Sequence, residues 1–150
     1  IYIIRRMVRF ASEDIGLAEP NALVQAISCL ETVRFLGMPE GDNAMIQCAV
    51  YLALAPKSNS VYMFGKKMRD ISRQYNKAKV PLHLRNAPTS LMEEIGYGKE
   101  YKYAHDYENG IVKQQYLPDE LHGKSWFEPK DSGFEKKAKE KYLWIRRKIY

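Results

Sequence analysis

Apolar positions recur at helical spacing through the first two-thirds of the chain, with sharp stops between them. Over residues 1–12, Ile4, Met7 and Val8 fall on one side of a helix and Arg5, Arg6 and Arg9 on another. A second helix is predicted to start at Glu19-Pro20, where proline suits the first turn, with the stripe Leu23, Ile27, Leu30 and Val33. Gly37 and then Pro39 mark its end. From about Asp42 to Leu54 the residues are apolar nearly all round (Met45, Ile46, Cys48, Ala49, Val50, Leu52, Ala53), which predicts a buried central helix. Pro56 ends it. Ser58 or Ser60 is placed to cap a fourth helix, whose apolar side is Val61, Phe64, Met68, Ile71 and Tyr75 and which Val80-Pro81 breaks.

The last third has a different texture. Pro88 to Ile95 reads as a short helix, with Ser90 and Glu93 as a capping pair and Gly96 as its stop. The stretch GYGKEYKYAHDYENG then shows no helical or strand period, and GIVKQQYLP has room for a short extended run. A final helix is predicted from Ser132, with Ser132 and Glu135 as a capping box and Phe134, Ala138, Tyr142, Ile145 and Ile149 as its apolar face. No repeat or low-complexity tract interrupts the chain. The pattern as a whole predicts an all-α fold, a helical bundle with a long tyrosine-rich irregular segment.

Length and composition fit one domain over residues 1–150, able to bury roughly two-thirds of its unfolded surface. No apolar run approaches the ~18 residues of a membrane span, and IYIIRRMVRF is too short in its apolar part for a signal peptide. The absence of an initiator Met and the apolar start suggest a piece of a longer protein that begins inside a helix. The net charge of +6 is unevenly placed. Residues 1–56 carry 4 Lys/Arg against 6 Asp/Glu, and residues 57–150 carry 20 against 12, so the basic character lies in the back half.

Charge draws attention to the polar side of the fourth helix. Lys66, Arg69, Arg73 and Lys77 are spaced 3, 4 and 4 apart, a basic ridge that suits phosphates and equally suits a solvated face. Tyr97, Tyr101, Tyr103 and Tyr107, interleaved with Lys99, Lys102 and His105, have the make-up of a loop packed on helices, of a subunit interface, or of a base-stacking platform. Cys29 and Cys48 sit in apolar helical patterns as free buried thiols, and with His83, His105 and His122 they make no metal-ligand spacing. No catalytic residue stands out: His105-Asp106 are neighbours in sequence, but a catalytic pair needs spatial contact and a nucleophile nearby.

The triplet Gly123-Lys124-Ser125 resembles the end of an ATPase phosphate loop. The loop's first glycine belongs at position 118, which is proline and has no N–H to offer phosphate. The helix that should follow is interrupted by Pro129. The triplet is therefore expected to be an exposed turn after Pro118 to Leu121.

Four stretches carry a family resemblance: RRMVRFASEDIGLAEPNAL, YLALAPKSNSVY, VPLHLRNAPTSLMEEIGYGKEYKYAHDYENG and QQYLPDELHG. They resemble the C-terminal region of the replication-associated recombination protein A family, AAA+ ATPases also called MgsA and related to the Werner-helicase-interacting protein. The match is looser around Gly37 to Cys48 and beyond Phe134. The resemblance implies a helical domain like the collar of clamp-loader subunits, which holds the parent as a homotetramer. It implies that ATP and Mg²⁺ are bound by Walker motifs outside this stretch, and that no cofactor belongs to these residues. It implies a cytoplasmic, nucleoid-associated parent working in replication, recombination and repair. Its partners would be further copies of itself, DNA at forks and single-stranded gaps, and single-stranded-DNA-binding protein. No catalytic residue is carried over. The expected function is oligomerisation, with DNA binding through the basic helix face as the alternative.

Overall fold

The computed structural model describes residues 1–149. Six α-helices and several single turns of 3-10 helix make up the regular structure, with no strand among the described residues. The chain divides into two compact units: Ile1–Arg69 with Trp126–Glu140, and Asp70–Ser125 with the chain from Lys141 onward.

The core of the first unit is built by three helices: α1 (Tyr2–Phe10), α2 (Asn21–Leu36) and α3 (Asp42–Leu54). α1 passes into a π-helical turn, Ala11–Ile15, and then a 3-10 turn, Gly16–Ala18. Ile4, Ala11 and Ile15 are buried against Ala22, Ala26 and Cys29 of α2 and Cys48 and Leu52 of α3. The starts and stops follow the sequence: Pro20 precedes α2, Gly37 follows it, and α3 has the expected bounds. Lys57 donates to the carbonyls of Leu52 (3.0 Å) and Ala53 (3.1 Å), satisfying groups that the end of α3 leaves open.

Two burial expectations are corrected here. The fully buried positions of α2 are Ala22, Ala26 and Cys29; of the expected stripe, Leu30 and Val33 are partly buried against this core, while Leu23 and Ile27 are 40% and 43% exposed. Small residues at the contact allow close helix approach. α3 is not enclosed. Only the side holding Cys48 and Leu52 is covered, while Ile46, Val50 and Leu54 are 61%, 53% and 81% exposed.

Two further helices, α4 (Ser60–Gln74) and α6 (Gly133–Ile149), begin in this unit. Ser58 presents its hydroxyl oxygen to the Ser60 amide at 3.3 Å, and its own amide donates to the Ile15 carbonyl at 3.2 Å. Phe64 and Phe127 meet edge to face at 5.6 Å. Glu135 is not half of a capping box. Its carboxylate is fully buried, accepts from the Ser60 hydroxyl and from the Lys130 amide (3.1 Å), and leaves Oε2 without a partner among the described residues. Phe134, expected on the apolar face, is 52% exposed. Gly133 has φ +50°, and a Cβ there would lie 2.1 Å from the Ala18 carbonyl oxygen, so only glycine fits.

In the second unit, α4 ends at Gln74, well before Val80-Pro81. The short helix α5 (Ser90–Ile95) is capped by Thr89, whose hydroxyl accepts from Met92, rather than by Ser90. Gly96 ends it in the left-handed conformation. Side chains organise the irregular segment that follows. The Gln114 side-chain oxygen accepts from the Lys102 amide at 2.8 Å, and His83 Nε2 lies 2.8 Å from the Gln115 carbonyl. The backbone at Ile111 is extended, but no ladder forms.

Candidate interaction surfaces

An uncovered apolar surface of the first unit runs along α1 and α3. A groove of about 420 Å³ is lined by Ile3, Met7, Phe10, Ala49, Leu52 and Ala53, with Arg6 at its edge. Ile46, Val50 and Leu54 stand four residues apart and therefore form a ridge on the outward side of α3. Farther along the same unit, Phe35 and Met38 are 89% and 59% exposed. Scattered exposed apolar residues are ordinary, but a contiguous set on one helix is not.

The expected basic ridge is exposed throughout, but it is not one continuous helical feature. Lys66, Arg69 and Arg73 lie on α4, whereas Lys77 lies beyond its end. Arg73 has Asp70 at 3.7 Å, and the neighbouring Lys67 has Glu128 at 3.2 Å. Both pairs are solvated and screened, so each holds its partner weakly.

The tyrosines separate into two roles. Tyr97 is half-buried, with the Arg85 guanidinium 5.2 Å from its ring centre and 3.2 Å from its hydroxyl. Tyr101, Tyr103 and Tyr107 are exposed. Tyr103 and His105 lie ring to ring at 5.0 Å.

The triplet Gly123-Lys124-Ser125 leaves a turn that ends at Gly123; Gly123 and Lys124 are exposed as expected, while Ser125 is half-buried. It follows a 3-10 turn, Asp119–Leu121; the Lys124 ammonium sits 5.3 Å over the Tyr75 ring and Ser125 hydrogen-bonds to the Tyr142 hydroxyl. Cys29 and Cys48 are free and buried. Burial, with neighbouring Cys29, pushes the Cys48 thiol up to about 11, so it stays protonated and unreactive near neutrality. No group of three or more His, Cys, Asp or Glu residues among those described is placed to hold a metal. No helix among them is long and apolar enough to cross a membrane.

Sequence reasoning misassigned one place and passed over another. The first is the buried Glu135, read as half of a capping box with Ser132. The other is the end of α6, where Trp144 is 42% exposed among Lys141, Arg147 and Lys148. The spacing of that tryptophan and its cations is readable from the sequence, although its exposure is not.

The described helices thus leave both apolar and basic surfaces exposed. A family model described as "MgsA AAA+ ATPase C terminal" matches residues 1–146, and the chain belongs to that family. It is 49% identical over 131 residues to "ATPase WRNIP1" of Dictyostelium discoideum, covering 87% of this chain and 15% of that protein. It is 47% identical to "Replication-associated recombination protein A" of Coxiella burnetii, over 97% of this chain and 33% of the relative. The protein of that name from Escherichia coli K12 is 43% identical over the same shares. The chain thus spans a third or less of these relatives.

Proposed function

We propose that the chain is the self-association module of a AAA+ ATPase, bringing four copies together as a closed homotetramer. The observation that carries this reading is the apolar surface of α1 and α3, with Ile46, Val50 and Leu54 uncovered beside the Ile3–Phe10 groove. An obligate interface is more apolar than ordinary surface, and a chain kept as a monomer would leave this ridge in water. In the parent, ATP and Mg²⁺ would be bound by residues outside this chain. The names of the relatives support a parent that hydrolyses ATP and works in replication-associated recombination. Its place would be the cytoplasm, near the nucleoid. Its partners would be DNA and single-stranded-DNA-binding protein.

The test is the pair Val50→Glu and Leu54→Glu, followed by sedimentation velocity. Both positions are exposed, so each variant should keep its helical signal while the assembly falls to single chains. Retention of the assembly by both variants would remove this ridge from the interface.

A second reading rests on the exposure of all four ridge cations, which leaves them open to DNA phosphates. Replacing Lys66, Arg69, Arg73 and Lys77 with glutamine should weaken DNA binding and flatten its salt dependence. Unchanged binding would dismiss the ridge.

A further inference from the structure

The last two turns of α6 separate into two faces. At 100° per residue, Tyr142, Ile145, Arg146 and Ile149 fall within one arc, and all four are half-buried. Tyr142 hydrogen-bonds to Ser125, and Arg146 lies 6.0 Å over the Tyr142 ring. The opposite arc holds Lys141, Leu143, Trp144, Arg147 and Lys148, all exposed. Trp144 lies between Lys141, three residues before it, and Lys148, four residues after it, so one aromatic face is bracketed by cations a turn away on each side.

Cations at a helix end complement its dipole, and this accounts for part of the charge. It does not account for an exposed tryptophan, which a helix with no partner would tend to turn inward. From Lys141 to Ile149 there are four cations and no acid; one acid, the exposed Glu140, lies on the same arc a turn before Trp144, so the arc carries three exposed cations against one acid. The surface therefore complements a polyanion that also has flat apolar faces. A phosphodiester backbone with unpaired bases has both properties, and a duplex hides its bases. A lipid surface fits less well, because only Leu143 and Trp144 are apolar on the exposed arc and insertion of a helix needs a wide apolar face.

We infer that the end of α6 is a binding strip for single-stranded nucleic acid, with Trp144 stacking on a base and Lys141, Arg147 and Lys148 holding the flanking phosphates. The strip is separate from the α4 ridge, which has charge and no exposed tryptophan. It does not depend on self-association.

The test uses this chain and a fluorescein-labelled oligothymidylate of about 20 nucleotides, longer than the footprint of one small binding fold. Affinity is read by anisotropy across a salt series, against a duplex of equal length and phosphatidylserine vesicles. Trp144→Ala should weaken oligothymidylate binding about tenfold with the salt slope unchanged, and Trp144→Phe should keep most of the affinity. The triple change Lys141→Gln, Arg147→Gln and Lys148→Gln should lower the log–log salt slope by about two, at ~0.7 for each phosphate contact on a single strand. Circular dichroism matching the parent chain shows that each variant is folded. The inference is overturned if Trp144→Ala binds as the parent does, if the triple variant keeps its slope, or if only the vesicles are bound.

Discussion

Replacing Glu135 should cost far more than its place in an amphipathic helix suggests. The carboxylate is fully buried, and one of its oxygens accepts from both the Ser60 hydroxyl and the Lys130 amide. Glu135→Ala leaves the buried Ser60 hydroxyl and the part-buried Lys130 amide without this acceptor, and an unsatisfied buried donor costs about 1–3 kcal/mol. The expected loss is about 2–5 kcal/mol, a large part of the ~5–15 kcal/mol that holds a typical domain together. Glu135→Gln keeps an oxygen in place and sets an amide nitrogen where Oε2 now has no partner. It should lose less than half as much. Urea denaturation of the parent chain, both variants and Ser60→Ala measures this directly. The double variant Ser60→Ala/Glu135→Ala should be more stable than the two single losses added together predict, because the groups share one bond. A Glu135→Ala loss below about 0.5 kcal/mol, the range of an ordinary surface change, would refute the reasoning.

Other outcomes follow from the same structure. Gly133→Ala should destabilise by several kcal/mol on thermal melting, because the new Cβ meets the Ala18 carbonyl at 2.1 Å. Gly123→Ala, with φ +72° and open space around it, should cost only about 1 kcal/mol. The Cys48 thiol has its folded value raised from 9.0 to about 11, so its contribution is fully present below pH 9 and is lost as pH rises through 11. The loss, about 3 kcal/mol across that window, should be absent from Cys48→Val in paired denaturation curves. Iodoacetamide should leave Cys48 unmodified in the folded chain at neutral pH and label it promptly in urea.

Helix existence and most boundaries were legible in the sequence because their causes are local. Pro20, Gly37, Pro56 and Gly96 act on the backbone beside them, and α3 has the bounds that its apolar run predicts. The buried faces were less legible. Hydropathy favours Leu23 and Ile27, but close helix approach favours Ala22 and Ala26, and packing decided. The exposure of Ile46, Val50 and Leu54 could not be read from a run that is apolar on every side; such a run signals burial without saying whether the chain's own helices supply it. The end of α4 was expected too late because Tyr75 continues the apolar spacing, and its amide still bonds to the Ile71 carbonyl at 2.8 Å, although the helix ends at Gln74. Glu135 was misread because a glutamate three residues after a serine has a common local explanation, whereas its actual partner, Ser60, lies 75 residues away.

The central claim is that this chain assembles with copies of itself. Light scattering across a concentration series, from high nanomolar to high micromolar, tests it without any variant. The account predicts a stable mass near four times 17.5 kDa over most of that range. A mass of one chain at the highest concentration would contradict it and leave the uncovered face of α3 without an occupant.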